Sequence, residues 1–232
     1  MEKRFGQSNI HYRDLDLIPL AVDCIIFGFN NNALELLLVH RNIEPKKGKW
    51  SLMGGFIKKE EGLHDAAHRI LFQLTGLNNI YMEQVETFGD VDRDPGGRVV
   101  SVAYYALILK EEYNEKLVEE YNASWFSLNE LPEMIFDHKT MVEKALKRLQ
   151  QKIKTGPIGF NLLPEKFTLP QLQSLYEVIL GETLDKRNFR KKLFELDILE
   201  KLDEKDYSSS KKGAFLYRFN KEKYKSTPVF KM

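Results

Sequence analysis

The chain has 232 residues, 43% of them hydrophobic, which exceeds one typical domain of roughly 100 to 200 residues and gives enough apolar material for two modest cores. The net charge of +1 hides an asymmetry: residues 1–155 carry 20 Lys+Arg against 23 Asp+Glu, and residues 156–232 carry 15 against 11. A polyanion would therefore bind the C-terminal part, while a lone cysteine, Cys24, excludes an intrachain disulfide and a cysteine-rich zinc centre.

Met1 to Asp14 is polar and lacks the apolar run of a secretory signal, so the expected location is the cytoplasm. Leu15 to Phe29 is apolar but broken by Asp16, Pro19 and Asp23, and falls short of the roughly 20 apolar residues of a membrane helix. Within it Val22 to Phe29 reads as a strand, with Cys24 packed in the core. Asn30-Asn31-Asn32 then turns the chain into a second strand, Leu34 to His40. A polar loop, Asn42 to Lys49, runs into Trp50 to Phe56, a strand end carrying the pair Gly54-Gly55. Leu63, Ala66, Ala67, Ile70, Leu71 and Leu74 recur at helical spacing, and Gly76 stands where a left-handed cap would end that helix. Strands over Val85 to Val91 and Val99 to Leu109 flank the turn-rich Asp92 to Gly97, and a helix over about Lys139 to Ile153 closes the first domain.

Thr155 to Gly159, with two glycines and a proline, marks the boundary, which divides the chain into residues 1–155 and 156–232. Beyond it Thr168-Leu169-Pro170-Gln171 fits a capping box, with Phe167 and Leu172 as the hydrophobic staple and Gly181 ending a helix over Leu169 to Leu180. Asp185 caps a second helix to about Leu196, whose Phe189, Leu193 and Leu196 face inward. Ile198 to Leu202 and Ala214 to Phe219 read as strands around a charged, serine-rich loop, and helix, helix, β-ribbon is the order of a winged helix.

Gly55, five residues, Glu61, seven residues, Arg69, then Leu71, Gly76 and Leu77 resemble the Nudix box, in which three further glutamates hold a divalent metal. Here those positions are Ile70, Gln73 and Leu74, at i, i+3 and i+4 on one helix face. Neither aliphatic side chain offers the hard oxygen that Mg²⁺ requires, and diphosphate hydrolysis needs that metal. The resemblance therefore implies the frame of a hydrolase without its chemistry: no catalytic residue, no metal and no cofactor. A working hydrolase, for instance an ADP-ribose pyrophosphatase, would have to draw its ligands from Glu60, Glu61, His64, Asp65 and His68.

Lys186-Arg187-Asn188-Phe189-Arg190-Lys191-Lys192 places five cations in seven residues at the start of the second helix, where such side chains read base edges or clamp phosphates. Lys211, Lys212 and Arg218 in the β-ribbon are expected backbone contacts. Gly159 to Pro164, Phe167 to Leu169, Leu172 and Leu184 to Lys192 are similar to the C-terminal domain of Nudix-related transcriptional regulators, and the resemblance covers nearly the whole chain. It implies an α+β protein, a Nudix-like α/β/α sandwich followed by a small winged helix-turn-helix domain, acting as a homodimeric repressor on double-stranded operator DNA. Relatives of this kind respond to ADP-ribose in NAD metabolism or to L-arabinose in pentose utilisation. Loss of the metal bridge to a diphosphate favours the pentose. Tyr12, Arg41, Lys49, Trp50, Asp92, Arg98 and Tyr104 are the expected effector contacts, offering polar groups for hydroxyls and aromatic faces for a ring.

Overall fold

The computed structural model describes residues 15–30, 33–76, 80–110, 122–156, 162–208, 211–220 and 222–223. Tyr12, the turn at Asn31-Asn32, Leu77, the Pro157 to Asn161 part of the boundary and the Leu74 side chain lie outside the described residues. The first unit is a mixed sheet of β1 (Leu20–Asn30), β2 (Ala33–His40), β3 (Trp50–Ser51), β4 (Met53–Phe56), β5 (Met82–Phe88), β6 (Val100–Leu109) and β7 (Ala123–Ser127). β1 is central: it runs parallel to β6 from Leu20↔Val100 to Phe29↔Leu109, and antiparallel first to β4 and then to β2. β7 adds to β2, and β5 to β6, both antiparallel.

Strand alternation divides the sheet's side chains between two helices. Val22, Cys24 and Ile26 of β1 and Val102, Tyr104 and Ala106 of β6 pack with Ala66, Ala67, Ile70 and Leu71 of α1 (Leu63–Thr75). Ile25, Phe27 and Phe29, with Ala103, Tyr105 and Leu107, face Met141, Ala145, Leu149 and Ile153 of α2 (His138–Thr155). The Cys24 thiol is fully buried and lies 3.6 Å from the Ala67 carbonyl, and burial pushes it far above its ordinary pKa. This is the expected α/β/α sandwich.

The second unit carries α3 (Leu169–Leu180), α4 (Lys186–Glu195) and a sheet in the order β8 (Phe167–Thr168), β10 (Ala214–Phe219), β9 (Leu199–Asp206). Thr168 caps α3 as expected: Gln171 returns its Oε1 to the Thr168 N–H at 2.7 Å, and Thr168 Oγ1 accepts the Gln171 N–H at 3.4 Å. Gly181 (φ 72°) and Gly76 (φ 72°) both adopt the left-handed conformation that ends a helix, and Asp185 Oδ1 caps α4 from the Asn188 N–H at 2.8 Å.

Several boundaries differ from expectation. β5 starts at Met82 and stops at Phe88, because Met82 is buried and pairs with Ala106, whereas Gly89 to Val91 leave the ladder. β9 extends to Asp206, since Lys205 and Asp206 still find partners in Phe215 and Ala214 despite their charge. β7 and β8 were not expected, being short segments whose pairing is set by β2 and β10. The boundary also divides less than its composition suggests. α2 runs through Thr155, and one apolar cluster continues from its Leu149 and Ile153 to Leu162, Leu163, Leu172, Leu175 and Tyr176 of the second unit. Gln150 Nε2 adds a hydrogen bond to the Ile179 carbonyl at 3.0 Å. No helix among the described residues is long and apolar enough to cross a membrane.

Candidate effector site and nucleic-acid interface

The glycine, glutamate and arginine of the segment from Gly55 to Gly76 hold the loop between β4 and α1 in place. Arg69 grips both oxygens of Glu61, with Nε 2.8 Å from Oε2, and its Nη2 also reaches the Phe56 carbonyl at 3.0 Å. Lys58 N–H donates to Glu61 Oε1 at 2.6 Å. The Arg69 guanidinium holds the Glu61 carboxyl well below the usual range, at about 2. Ile70 is buried, so close beneath Gly55 that a Cβ on that glycine would stand 3.1 Å from its Cδ1. Gln73 is exposed and accepts from Arg69 Nη1 at 3.1 Å. An aliphatic group turned into the core and an amide oxygen already used by arginine do not fit a divalent cation. Among the described residues no group of three His, Cys, Asp or Glu side chains is arranged so that it could hold a metal ion.

The same end of the sheet gathers three loops. In the first, Arg41 donates through Nε to the carbonyls of Ile43 (3.1 Å) and Pro45 (2.7 Å), and its guanidinium lies 5.7 Å from the Phe136 ring centroid. Lys49 is exposed and meets Glu133 at 3.6 Å, while the half-buried Trp50 packs edge-on to His40 and Phe126. The second loop carries Asp92, exposed, and Arg98, whose Nη1 bonds the Asp90 carbonyl at 3.1 Å. Its Gly96 comes near the Pro45 ring. The third is the approach to α2, residues 133–138, which touches both others.

Arg41, Lys49 and Trp50 thus stand on the first loop and its exit, Asp92 and Arg98 on the second, and the two loops meet at Pro45 and Gly96. Tyr104 does not join them. It is buried on the opposite face of the sheet, 5.4 Å from the His64 ring, because position 104 alternates with the α2-facing Tyr105. Phase along β6 excludes it from a site on the Trp50 side.

Beneath the three loops lies a buried polar cluster that was not anticipated. Arg93, 8% exposed, forks onto Asp137 (Nε to Oδ2 2.9 Å, Nη2 to Oδ1 2.8 Å) and lies 3.8 Å from Asp23 Oδ2. Asp23 also accepts from Ser101 Oγ at 2.6 Å and faces His138 Nε2 at 3.7 Å. The Leu52 N–H donates to His138 Nδ1 at 3.1 Å, which puts the ring proton on Nε2. Burial holds this imidazole below its ordinary pKa despite Asp23 and Asp137. A Cβ on Gly54 would stand 2.1 Å from Asp23 Oδ1, so only glycine admits the carboxylate there. The available signal was Asp23 itself: an acid on the α2-facing phase of an otherwise apolar strand requires a partner.

In the second unit, Phe189 and Leu193 turn one face of α4 inward, and Phe189 meets Tyr176 of α3 edge-on. Lys186, Arg187, Asn188, Lys191 and Lys192 are exposed, and Arg190 is half-buried with an Nε that has no hydrogen-bond partner among the described residues. Three other cations of this unit are ion-paired. Arg218 lies in β10, held by Glu200 at 2.6 Å, and Lys166 and Lys223 are likewise taken by Glu204 and Asp197. Lys211 and Lys212 are exposed beside the β-ribbon turn.

Comparison with known proteins covers both units. Residues 17–146 match the NUDIX domain and residues 159–219 the NrtR DNA-binding winged helix domain. The chain is 35% identical over 209 residues to the ADPR responsive transcriptional repressor NtrR of Acinetobacter baylyi, covering 88% of this chain and 83% of the relative. It superposes on Shewanella oneidensis NrtR complexed with a 27mer DNA with a TM-score of 0.81 and 31% identity, covering 91% of this chain and 97% of the other. The NUDIX domain of that protein complexed with ADP ribose aligns with a TM-score of 0.52 and 29% identity over 64% of this chain and 99% of the domain.

Proposed function

The chain belongs to the NrtR family of regulators, a NUDIX domain followed by an NrtR winged helix domain, and from that premise we propose that it is a transcriptional repressor whose DNA binding responds to ADP-ribose. The observation that carries the reading is the contrast within one chain between a NUDIX frame offering Ile70 and Gln73 at its metal positions and a helix, α4, whose exposed cations form no ion pair with the described residues. The pentose expected from sequence finds no support in the relatives described above, one of which is named as ADPR responsive and another of which was solved with ADP ribose bound. A diphosphate needs no metal bridge where arginine and lysine supply the compensating positive charge.

In this reading residues 1–155 hold the effector, with Arg41, Lys49, Trp50, Asp92 and Arg98 around it, and residues 156–232 hold the operator. Arg187, Asn188, Arg190 and Lys191 read base edges, Lys186, Lys211 and Lys212 bind phosphates, and a homodimer doubles the readout on a palindrome. Arg218, already engaged by Glu200, contributes least. Selection from a random duplex pool, followed by titration of the selected site with ADP-ribose or L-arabinose present, tests all of this. The expected result is a palindrome whose affinity responds to ADP-ribose alone, without AMP release in Mg²⁺. Response to the pentose alone, or efficient hydrolysis, would overturn it.

A further inference from the structure

Asp137 occupies the N-cap of α2, and aspartate is among the best residues for that place, yet its side chain makes no capping bond. Arg93 takes both of its oxygens instead. The groups that an N-cap carboxylate serves are the N–H groups of the second and third helical residues, here Lys139 and Thr140. Asp137 thus has two possible partners. Arg93 has two as well, because Asp23 Oδ2 already stands 3.8 Å from its Nη2. Release of Asp137 would leave no buried charge alone: the guanidinium would close on Asp23, and the freed carboxylate, its side chain 22% exposed, would turn to the helix as the residue's backbone opens from ψ 14° towards the extended conformation of a capping residue.

We propose that Asp137 is a two-position switch, latched by Arg93 in this structure and capping α2 once Arg93 has turned to Asp23. Loop 90–98 chooses the position because Arg93 is part of it, so an effector that draws this loop towards Arg41 and Pro45 unlatches Asp137. This inference rests on the reading of the chain as an effector-responsive DNA-binding protein. The change has a path to the DNA-binding unit. α2 carries Leu149 and Ile153 in the same apolar cluster as Leu172, Leu175 and Tyr176, and Gln150 bonds the Ile179 carbonyl. A helix whose first turn changes partners shifts as a body, and α3 follows it.

The test uses the full chain, amide exchange at Lys139 and Thr140, and ADP-ribose as the probe. Saturating ADP-ribose should slow exchange at one or both amides about fivefold, the usual worth of a capping bond. Asp137→Asn keeps a capping oxygen but loses the ion pair. Without ligand it should show the same slowing, and its operator affinity should match that of ADP-ribose-saturated wild type. Asp137→Ala can neither latch nor cap and should leave these amides unprotected. Unchanged exchange in Asp137→Asn overturns the switch whatever the effector proves to be. Protection in that variant with operator affinity unchanged overturns the transmission. Failure of wild type to bind ADP-ribose overturns the effector reading instead, and Asp137→Asn still decides the switch. Should Asp137→Asn not fold, Arg93→Lys, which keeps the charge without the fork, must give the same protection.

Discussion

The two faces of the NUDIX sheet differ in reach. The α1 face closes on itself: Val22, Cys24, Ile26, Met53, Ala67, Leu71 and Tyr104 form a cluster confined to the first unit. The α2 face starts at the Asp23–Arg93–Asp137 cluster and continues without a break into the winged helix. The face that bears the helix of the NUDIX box is therefore the one whose core, among the described residues, stays within the first unit.

The largest expected effect breaks the longer face. Phe167→Ala removes a fully buried ring shared by α3 and the β-ribbon and should cost about 3–5 kcal/mol. Because its cluster reaches the NUDIX sheet, calorimetry should show one transition moving down for the whole chain. Two transitions with the NUDIX unit unmoved would show that the cluster does not unite them. On the other face Leu71→Ala should cost about 2–5 kcal/mol in urea unfolding while operator affinity of the folded protein stays within twofold. A large loss of affinity there would erase the distinction between the faces.

Smaller effects concern exposed groups. Arg187→Ala or Arg190→Ala should each weaken operator binding by about 1–3 kcal/mol and relax preference at one base position per half-site, with the melting temperature unchanged. Binding to scrambled duplexes should change far less. Smallest is the pH response of Glu61. Its folded value, about 2, lies below its ordinary 4.5, so the Arg69 pairing stabilises the fold above pH 4.5 and is lost as pH falls towards 2. Wild type and Glu61→Gln should thus differ most near neutrality and converge only as pH falls to about 2 in urea titrations. A gap that widens in acid would contradict the pairing.

Much of this was legible because it is local. Thr168 and Gln171, Asp185, Gly76 and Gly181 specify helix ends within four residues of themselves, and the structure shows each in that role. The two units followed from periodicity and punctuation. Sites assembled across the chain were harder to read. Arg93 meets Asp137 across 44 residues and Ser101 meets Asp23 across 78, so no spacing links them. Tyr104 was placed with Trp50 because sequence gives residue type, whereas the face depends on the phase of β6. The missing metal carboxylates bear on hydrolysis and not on diphosphate binding, so they do not select the effector.

Cys24 has a practical consequence. The lone thiol of the chain is sealed between β1 and α1 and lies against the Ala67 carbonyl. A maleimide dye should leave the native protein unlabelled, so a cysteine introduced on α4 or in loop 90–98 can carry a fluorophore without altering the native thiol. In unlabelled protein the rate of Cys24 alkylation then reports how often the α1 face opens. That gives a clock for opening of the first unit at its α1 face.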